Sequence, residues 1–396
     1  MIINTLFSII YIFKLSVCDT SSENNNFKDS DNLYQREKRG IRQVASRFVD
    51  IKPINYKVSN DSDILKVQVA LRILSAETCL NFKRVRYLPK TVPSLEFVTF
   101  QSGEYPKNKP VDIGFRQPVY ISKDHKSSVG HILQQIVLAI GLIPQHLRPD
   151  RDNYIKFVEH NPDYVVALAE RFTKTINPKK INLYGTAYDY GSITQFRTSY
   201  YSDVSSSYME PKKIRFYGSM FGQRYGLSFN DKKLLNLEIC RKQCEGKKLQ
   251  CMNQGFLDRN KCKKCKCPNG FDGQLCEKPA ESDKMCKETS LMAYKKEKMI
   301  TVKGKGTCNY HINTLKGSRI NVYIHKMEVL SKNPCFEKFG VELKHRSNKG
   351  TTGLCLCGFQ AFINITSEDD FVILQYNGKR SKHSLTFSYR RIDRKY

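Results

Sequence analysis

The sequence predicts three domains: a first domain that mixes helices and strands, a small cysteine-rich module, and a C-terminal domain built from strands. Three observations support this. The chain has 396 residues, which is enough for two or three domains with sizeable cores. Its 14 cysteines are mostly crowded beyond residue 239, which is hard to reconcile with a reducing cytosol. Cysteine density also changes near residues 240 and 285, and these changes predict two boundaries.

Composition and charge exclude several classes of protein. The apolar fraction of 40% and the charged fraction of 26% are ordinary for a globular chain and argue against disorder. After the N-terminus, no apolar run reaches the roughly 18 residues of a membrane span. The net charge of +28 is spread along the chain, which indicates a solvated basic surface. A membrane-spanning protein, a disordered chain and an ordinary cytosolic enzyme are therefore poor interpretations.

The N-terminus has the pattern of a secreted precursor. Residues 2–13 are apolar, small residues follow, and the polar run DTSSENNN comes next, so we expect a signal peptide over residues 1–18. A buried N-terminal helix is the weaker alternative. The polar residues 19–39 end in a basic run, which predicts a pro-segment cut between Arg39 and Gly40 by a basic-specific convertase. A solvated charge cluster is the alternative for that run.

Residues 40–240 predict a mixed domain, either α+β or α/β. Ile64–Ser75 and Val129–Leu142 place apolar residues at helical spacing. Between these helices, the runs FVTF and PVYIS predict strands.

Three motifs in this domain resemble the astacin family of zinc metalloendopeptidases. They are GHILQQIVLAIGLIPQHLRPDRDNYI over 130–155, YDYGSITQF over 188–196, and GQRYGLSFNDKKLLNLEIC over 222–240. The resemblance covers residues 40–240 and implies an α+β metzincin-like protease domain with zinc as cofactor. In that family, H-E-x-x-H-x-x-G-x-x-H supplies three histidine ligands and a glutamate base that deprotonates zinc-bound water.

This sequence lacks the residues of that chemistry. Gly141 and the run RPDRD over 148–152 fix the register without a gap. The ligand positions then hold Gln134, Leu138, Pro144 and, after the Met-turn, Phe196, while the general-base position holds Gln135. Gln145, Thr194 and Gln195 replace further family residues. Leucine, proline and phenylalanine cannot bind a metal, and glutamine is a poor zinc ligand and no base. We therefore expect no catalysis and no cofactor, and we expect His131 and His146 to be surface or partly buried residues.

Residues 241–285 resemble an epidermal growth factor-like module, above all in CKCPNGFDGQLC. The family resemblance implies the disulfides Cys244–Cys262, Cys251–Cys265 and Cys267–Cys276. A zinc knuckle on CKKC is the weaker alternative, because no histidine lies nearby.

Residues 286–396 contain alternating apolar runs such as INVYI and LTFSY, which predict strands. They resemble a CUB domain, which is an all-β sandwich. We pair Cys286 with Cys308 and Cys335 with Cys357, so Cys355 is left over. In the first domain Cys79 and Cys240 are the two cysteines, and they predict one bridge that closes a long loop.

The leading hypothesis is a secreted pseudoprotease that binds substrates, inhibitors or other extracellular proteins or peptides. One alternative is an active zinc metalloendopeptidase with an atypical site. The other is a protein that binds sulfated glycans, anionic surfaces or matrix through its basic CUB and epidermal growth factor-like region, with Lys261–Lys266 and Lys295–Lys305 as candidate contacts. No nucleic-acid fold signature appears. Asn60 and Asn364 begin acceptor sequons for glycosylation.

Overall fold

The computed structural model describes residues 39–49, 51–59, 64–100, 115–122, 128–158, 175–197 and 209–393. The chain divides into two compact units, 1–36 and 37–396, and every described residue belongs to the second. The predicted signal peptide, nearly all of the pro-segment, and Asn60 lie outside the described residues. Within these ranges no helix is both long and apolar enough to cross a membrane.

The first domain begins with strand β1 (Arg39–Arg42) and then builds a parallel sheet. The sheet contains β2 (Ile54–Val58), β3 (Phe82–Arg84), β4 (Ser94–Phe100) and β5 (Arg116–Ser122), in the order β3-β2-β4-β5. Every second residue of β2 is buried, as the period of a strand requires. The predicted runs FVTF and PVYIS form the end of β4 and most of β5.

Two helices share a hydrophobic core with this sheet: α1 (Ile64–Glu77) and α2 (Val129–Ala139). The helix predicted over Ile64–Ser75 extends two residues further. The second helix ends earlier than Leu142, because Gly141 takes a φ of +122° that favours glycine and turns the chain. The Ser128 hydroxyl caps the start of α2 by accepting a hydrogen bond from the His131 backbone N–H at 3.2 Å.

The rest of the first domain consists of short elements. They are β6 (Ile155–Phe157), β7 (Ile181–Leu183), β8 (Met209–Pro211) and α3 (Phe229–Glu238). β1 pairs antiparallel with β7, and β6 pairs antiparallel with β8. A capping box between Ser228 and Asp231 starts α3.

The cysteine-rich region has two small antiparallel hairpins and little core. Strands β9 (Phe256–Leu257) and β10 (Cys265–Lys266) form the first, and β11 (Phe271–Asp272) and β12 (Lys278–Pro279) form the second. A segment this poor in buried apolar residues depends on its disulfides.

The C-terminal domain is formed by two sheets. Its strands are β13 (Ser290–Met292), β14 (Lys298–Lys303), β15 (Gly306–Asn313), β16 (Arg319–Glu328), β17 (Val341–Lys344), β18 (Leu354–Leu356), β19 (Phe359–Thr366), β20 (Phe371–Gly378) and β21 (Ser384–Ile392). One sheet has the order β13-β15-β20-β17-β18 and the other β14-β21-β16-β19. Ile320, Val322 and Ile324 alternate into the core from β16, as the predicted run INVYI requires.

Six disulfides occur among the described residues. They join Cys79–Cys240, Cys244–Cys262, Cys251–Cys265, Cys267–Cys276, Cys286–Cys308 and Cys335–Cys357. These are the same pairs that the sequence analysis gives. Cys355 is a buried free thiol.

The first and C-terminal domains share one hydrophobic core. Tyr190 and Tyr217 of the first domain belong to the same buried cluster as the interior of the two C-terminal sheets. The Tyr217 hydroxyl lies 2.8 Å from Nε2 of His345, and Arg346 Nη1 donates to the Tyr188 carbonyl oxygen at 2.7 Å. The two domains are therefore held together by buried side chains and by hydrogen bonds. A flexible linker alone would not hold them in this way.

Candidate functional site between helix α2 and residues 188–196

Helix α2 faces the segment Tyr188–Phe196, and Gln134 joins them. Its side chain is buried, and its amide Nε2 donates to the Ile193 carbonyl oxygen at 3.0 Å. Arg224 Nη1 donates to the same carbonyl at 3.2 Å. At the predicted first ligand position, the structure thus has an amide that serves as a hydrogen-bond donor.

The other positions predicted for ligands and base hold side chains that are poor metal ligands. Leu138, Pro144, Phe196 and Gln135 are all half-buried. The Phe196 ring packs against His146, with 4.5 Å between the ring centroids. Three of these four side chains are hydrocarbon, and the fourth is a neutral amide.

The residues that replace other family positions are built into the hydrogen-bond network. Thr194 Oγ1 donates to the Ile143 carbonyl oxygen at 2.9 Å. Gln145 Oε1 accepts from the Asp189 backbone N–H at 3.1 Å. The Tyr188 hydroxyl donates to Gln195 Oε1 at 2.6 Å. Each substituted group is buried and has a specific partner, so the segment is held in place by protein hydrogen bonds.

Asp231 supports this segment from helix α3. Its Oδ1 accepts from the Ser192 hydroxyl at 2.6 Å, and its Oδ2 accepts from the backbone N–H groups of Ile193 and Ser228 at 2.9 Å each. Burial, followed by the neighbouring Asp189 carboxylate, raises the pKa of Asp231 to about 6. Because all these acceptor contacts position backbone and hydroxyl groups, we assign Asp231 a structural role.

The run RPDRD is also structural. Arg148 is fully buried and bonds both oxygens of Asp150 at 2.8 Å, while its Nη2 also donates to the Thr186 carbonyl oxygen at 3.0 Å. Arg151 Nη1 donates to the His146 carbonyl oxygen at 2.7 Å. These contacts fix the chain that follows α2.

The histidines near α2 are held in their neutral form. Burial first, and then Arg224 and Arg197, lower the pKa of His131 to about 4. Burial and Arg151 lower the pKa of His146 to about 3. His131 is partly buried as predicted, whereas His146 is only 2% exposed and lies deeper than predicted, because the turn after α2 folds beneath residue 196.

We expect the free energy of unfolding to fall as the pH decreases from about 6.5 to about 4. His131, His146 and His345 all have folded pKa values below the ordinary 6.5, and His345 is lowered to about 4 by burial and Arg346. The unfolded chain therefore takes up protons first, and stability is lost on acidification. Three buried acids oppose this loss in part, because burial raises the pKa of Asp231 to about 6, raises that of Glu337 to about 7 and also raises that of Asp189. Urea unfolding at pH 7, 6, 5 and 4 measures the net effect of these groups on the free energy of unfolding. A free energy of unfolding that rises from pH 7 towards pH 5 would contradict the prediction.

The residues at the family's zinc site do not fit a zinc ion. Zinc needs thiolate, imidazole or carboxylate ligands. Among the four ligand positions only Gln134 has a polar side chain: its amide nitrogen has no available lone pair and already donates to Ile193, and its neutral amide oxygen is a poor zinc ligand. Across the described ranges, no group of three or more histidine, cysteine or acidic residues has a geometry suited to a metal ion.

The two basic segments named from the sequence are partly engaged within the molecule. Lys266 Nζ contacts the Glu77 carboxylate of the first domain at 2.8 Å, and its side chain is 18% exposed. Lys295 Nζ contacts Asp393 at 3.1 Å. Lys266 is therefore less available to a ligand than its sequence suggests, whereas Lys295 is 72% exposed and its ion pair is open to competition.

Comparisons with known proteins bear on both domains. The Astacin peptidase family matches residues 42–240, and the CUB domain family matches residues 287–390. The chain is 26% identical over 369 residues to zinc metalloproteinase nas-34 of Caenorhabditis elegans, covering 91% of this chain and 59% of that protein. It is 32% identical over 268 residues to zinc metalloproteinase nas-37 of the same organism, covering 67% of this chain and 34% of that protein.

The chain thus spans only part of the length of these relatives. Among solved structures, it is similar to High choriolytic enzyme 1, a hatching enzyme zinc-protease from Oryzias latipes, with 22% identity and a TM-score of 0.38. That similarity covers 46% of this chain and 87% of the other. The domain matches confirm the predicted astacin peptidase domain followed by a CUB domain. Because the peptidase match covers half of the sequence, the chain belongs to the astacin family of peptidases.

Proposed function

We propose that this chain is a secreted pseudoprotease that binds extracellular proteins or peptides and does not cleave them. The observation that carries the proposal is the set of residues at the zinc and base positions: Gln134, Gln135, Leu138, Pro144 and Phe196. The hydrogen bond from Gln134 to Ile193 supports it, because this amide helps hold helix α2 against the segment 188–196 without a metal. A protein that keeps the scaffold of a protease cleft while losing its ligands retains the means to bind peptides.

The proposed domain layout is a signal peptide over 1–18, a pro-segment over 19–39, a peptidase-like domain over 40–240, an epidermal growth factor-like module over 241–285 and a CUB domain over 286–396. Three disulfides and two small hairpins in residues 241–285 support the module assignment. Disulfide bonds also support an oxidising, extracellular location. The side chain of Asn364 is exposed on strand β19, as a glycosylated asparagine requires.

Cleavage between Arg39 and Gly40 belongs to the same proposal. Both residues form the start of β1, which pairs with β7. A paired strand is a poor protease substrate, because the chain must leave its partner to enter a protease cleft. We therefore propose that processing precedes the final pairing of this strand.

Active proteolysis is the second candidate function. The names of the similar proteins favour it, since both nas-34 and nas-37 are described as zinc metalloproteinases. It requires a metal held by ligands other than those at the family positions.

Metal content separates the two candidates. Elemental analysis of the purified, disulfide-bonded chain is expected to find well below about 0.1 zinc per chain, whereas an active family member measured beside it contains about one. Incubation with a peptide library should give no cleavage that a chelator abolishes. One tightly bound zinc per chain, or chelator-sensitive cleavage, would show that the proposal is wrong.

A further inference from the structure

A cavity of about 450 Å³ opens at the carboxyl end of strands β2 and β3 in the peptidase domain. Among the residues that the structure describes, three cationic side chains line it, from Lys57, Arg84 and Arg86. Its volume lies within the range of ordinary ligand sites. A concave surface lined by several cations concentrates positive potential, so the fitting ligand is an anion.

The backbone around the cavity is fixed by the parallel sheet. The Val85 N–H donates to the Tyr56 carbonyl oxygen at 2.9 Å, and the Ser59 N–H donates to the Phe97 carbonyl oxygen at 3.0 Å. The cations therefore project from ordered strand ends. A binding site on such elements loses little conformational entropy when a ligand arrives.

The charge of Lys57 is only weakly balanced by the acid beside it. Lys57 Nζ lies 3.9 Å from the Glu96 carboxylate, and both side chains are partly exposed. An exposed ion pair at that distance contributes little and is open to competition. Arg86 is exposed, and its guanidinium lies 5.5 Å from the centroid of the Tyr87 ring, which is itself 77% exposed.

We propose that this cavity binds the sulfate groups of an acidic extracellular glycan. Guanidinium groups match the geometry of tetrahedral oxyanions, and Lys57 adds a further cation. The exposed ring of Tyr87 offers a flat amphipathic surface beside Arg86 on which a sugar can pack. A concave site accepts a projecting sulfate better than it accepts the flat surface of a membrane. The choice of a glycan rests on the proposed extracellular function, since sulfated glycans occur there.

The test measures binding of a heparin-derived oligosaccharide across a series of salt concentrations. The double variant Lys57→Gln/Arg86→Gln should lose about tenfold or more in affinity, and its salt slope should fall by about one for each cation removed. The control is Lys316→Gln/Lys379→Gln in the CUB domain, which removes the same charge from two exposed lysines outside both candidate basic segments and should change affinity by less than about twofold. All proteins carry Asn60→Gln, because that sequon follows Ser59 directly.

Equal losses in the two double variants, or no binding by either parent or variant, would overturn the assignment of the cavity. The second part of the experiment measures binding of the same proteins to vesicles containing phosphatidylserine. If they bind the parent as tightly as the oligosaccharide does and lose binding with the cavity variant, the ligand is a lipid phosphate and the glycan assignment is wrong. Zinc content, measured on the same samples, reports separately on the proposed loss of the metal site.

Discussion

Replacing Arg346 by alanine is expected to lower the free energy of unfolding by about 3 kcal/mol. This CUB-domain side chain is buried at the contact with the peptidase domain, where its Nη1 donates to the Tyr188 carbonyl oxygen at 2.7 Å. Its guanidinium also lies 4.9 Å from the centroid of the Tyr154 ring. Alanine leaves the carbonyl without this charged donor and leaves a void beside the aromatic ring. The Tyr188 carbonyl belongs to the segment that Gln134 joins to helix α2, and the Tyr154 ring stacks on the Tyr188 ring.

Urea unfolding measures this effect, with Arg319→Ala as the matched control. Arg319 is an exposed arginine at the start of β16, so its removal should change stability by less than about 0.5 kcal/mol. Arg346→Lys keeps the positive charge but lacks the planar guanidinium group. Its free energy of unfolding should therefore lie between those of the parent and Arg346→Ala. A loss below about 1 kcal/mol for Arg346→Ala would mean that the contact between the domains contributes little, despite its burial.

The positions of the candidate site could be predicted because spacing along a helix fixes geometry. Gln134 and Leu138 are four residues apart on α2, and a helix places such residues on one side. The single backbone turn at Gly141 then sets the distance to Pro144. These relations depend on local conformation alone, so the motif register predicts which residues occupy the family's zinc positions.

The hydrogen-bond partners of that site could not be predicted in the same way. Gln134 reaches a carbonyl 59 positions along the chain, and Arg346 reaches one 158 positions away. Such contacts depend on how separate elements pack, and a single sequence carries no signal for them. The deep burial of His146 and the basic cavity at Lys57 have the same origin, because each arises where segments distant in sequence meet.

Removal of the Cys79–Cys240 disulfide is expected to produce the largest loss of stability, about 5 kcal/mol in the chain-entropy account of cross-links. The bridge spans 161 positions and joins the end of α1 to the end of α3. Without it, the unfolded chain gains the freedom of a very long loop. The double variant Cys79→Ala/Cys240→Ala, measured by urea unfolding against the parent, gives this value directly.

The Cys267–Cys276 disulfide is the matched comparison, because its cysteines are only 9 positions apart. Its double alanine variant should cost about 2.5 kcal/mol by the same account, roughly half as much. The Cys79–Cys240 variant should also retain the CUB domain fold, because the disulfides Cys286–Cys308 and Cys335–Cys357 are intact. Equal losses for the long and the short loop would contradict loop entropy as the source of stability. In that case, the packing around each disulfide would have to supply the difference between the parent and its variants.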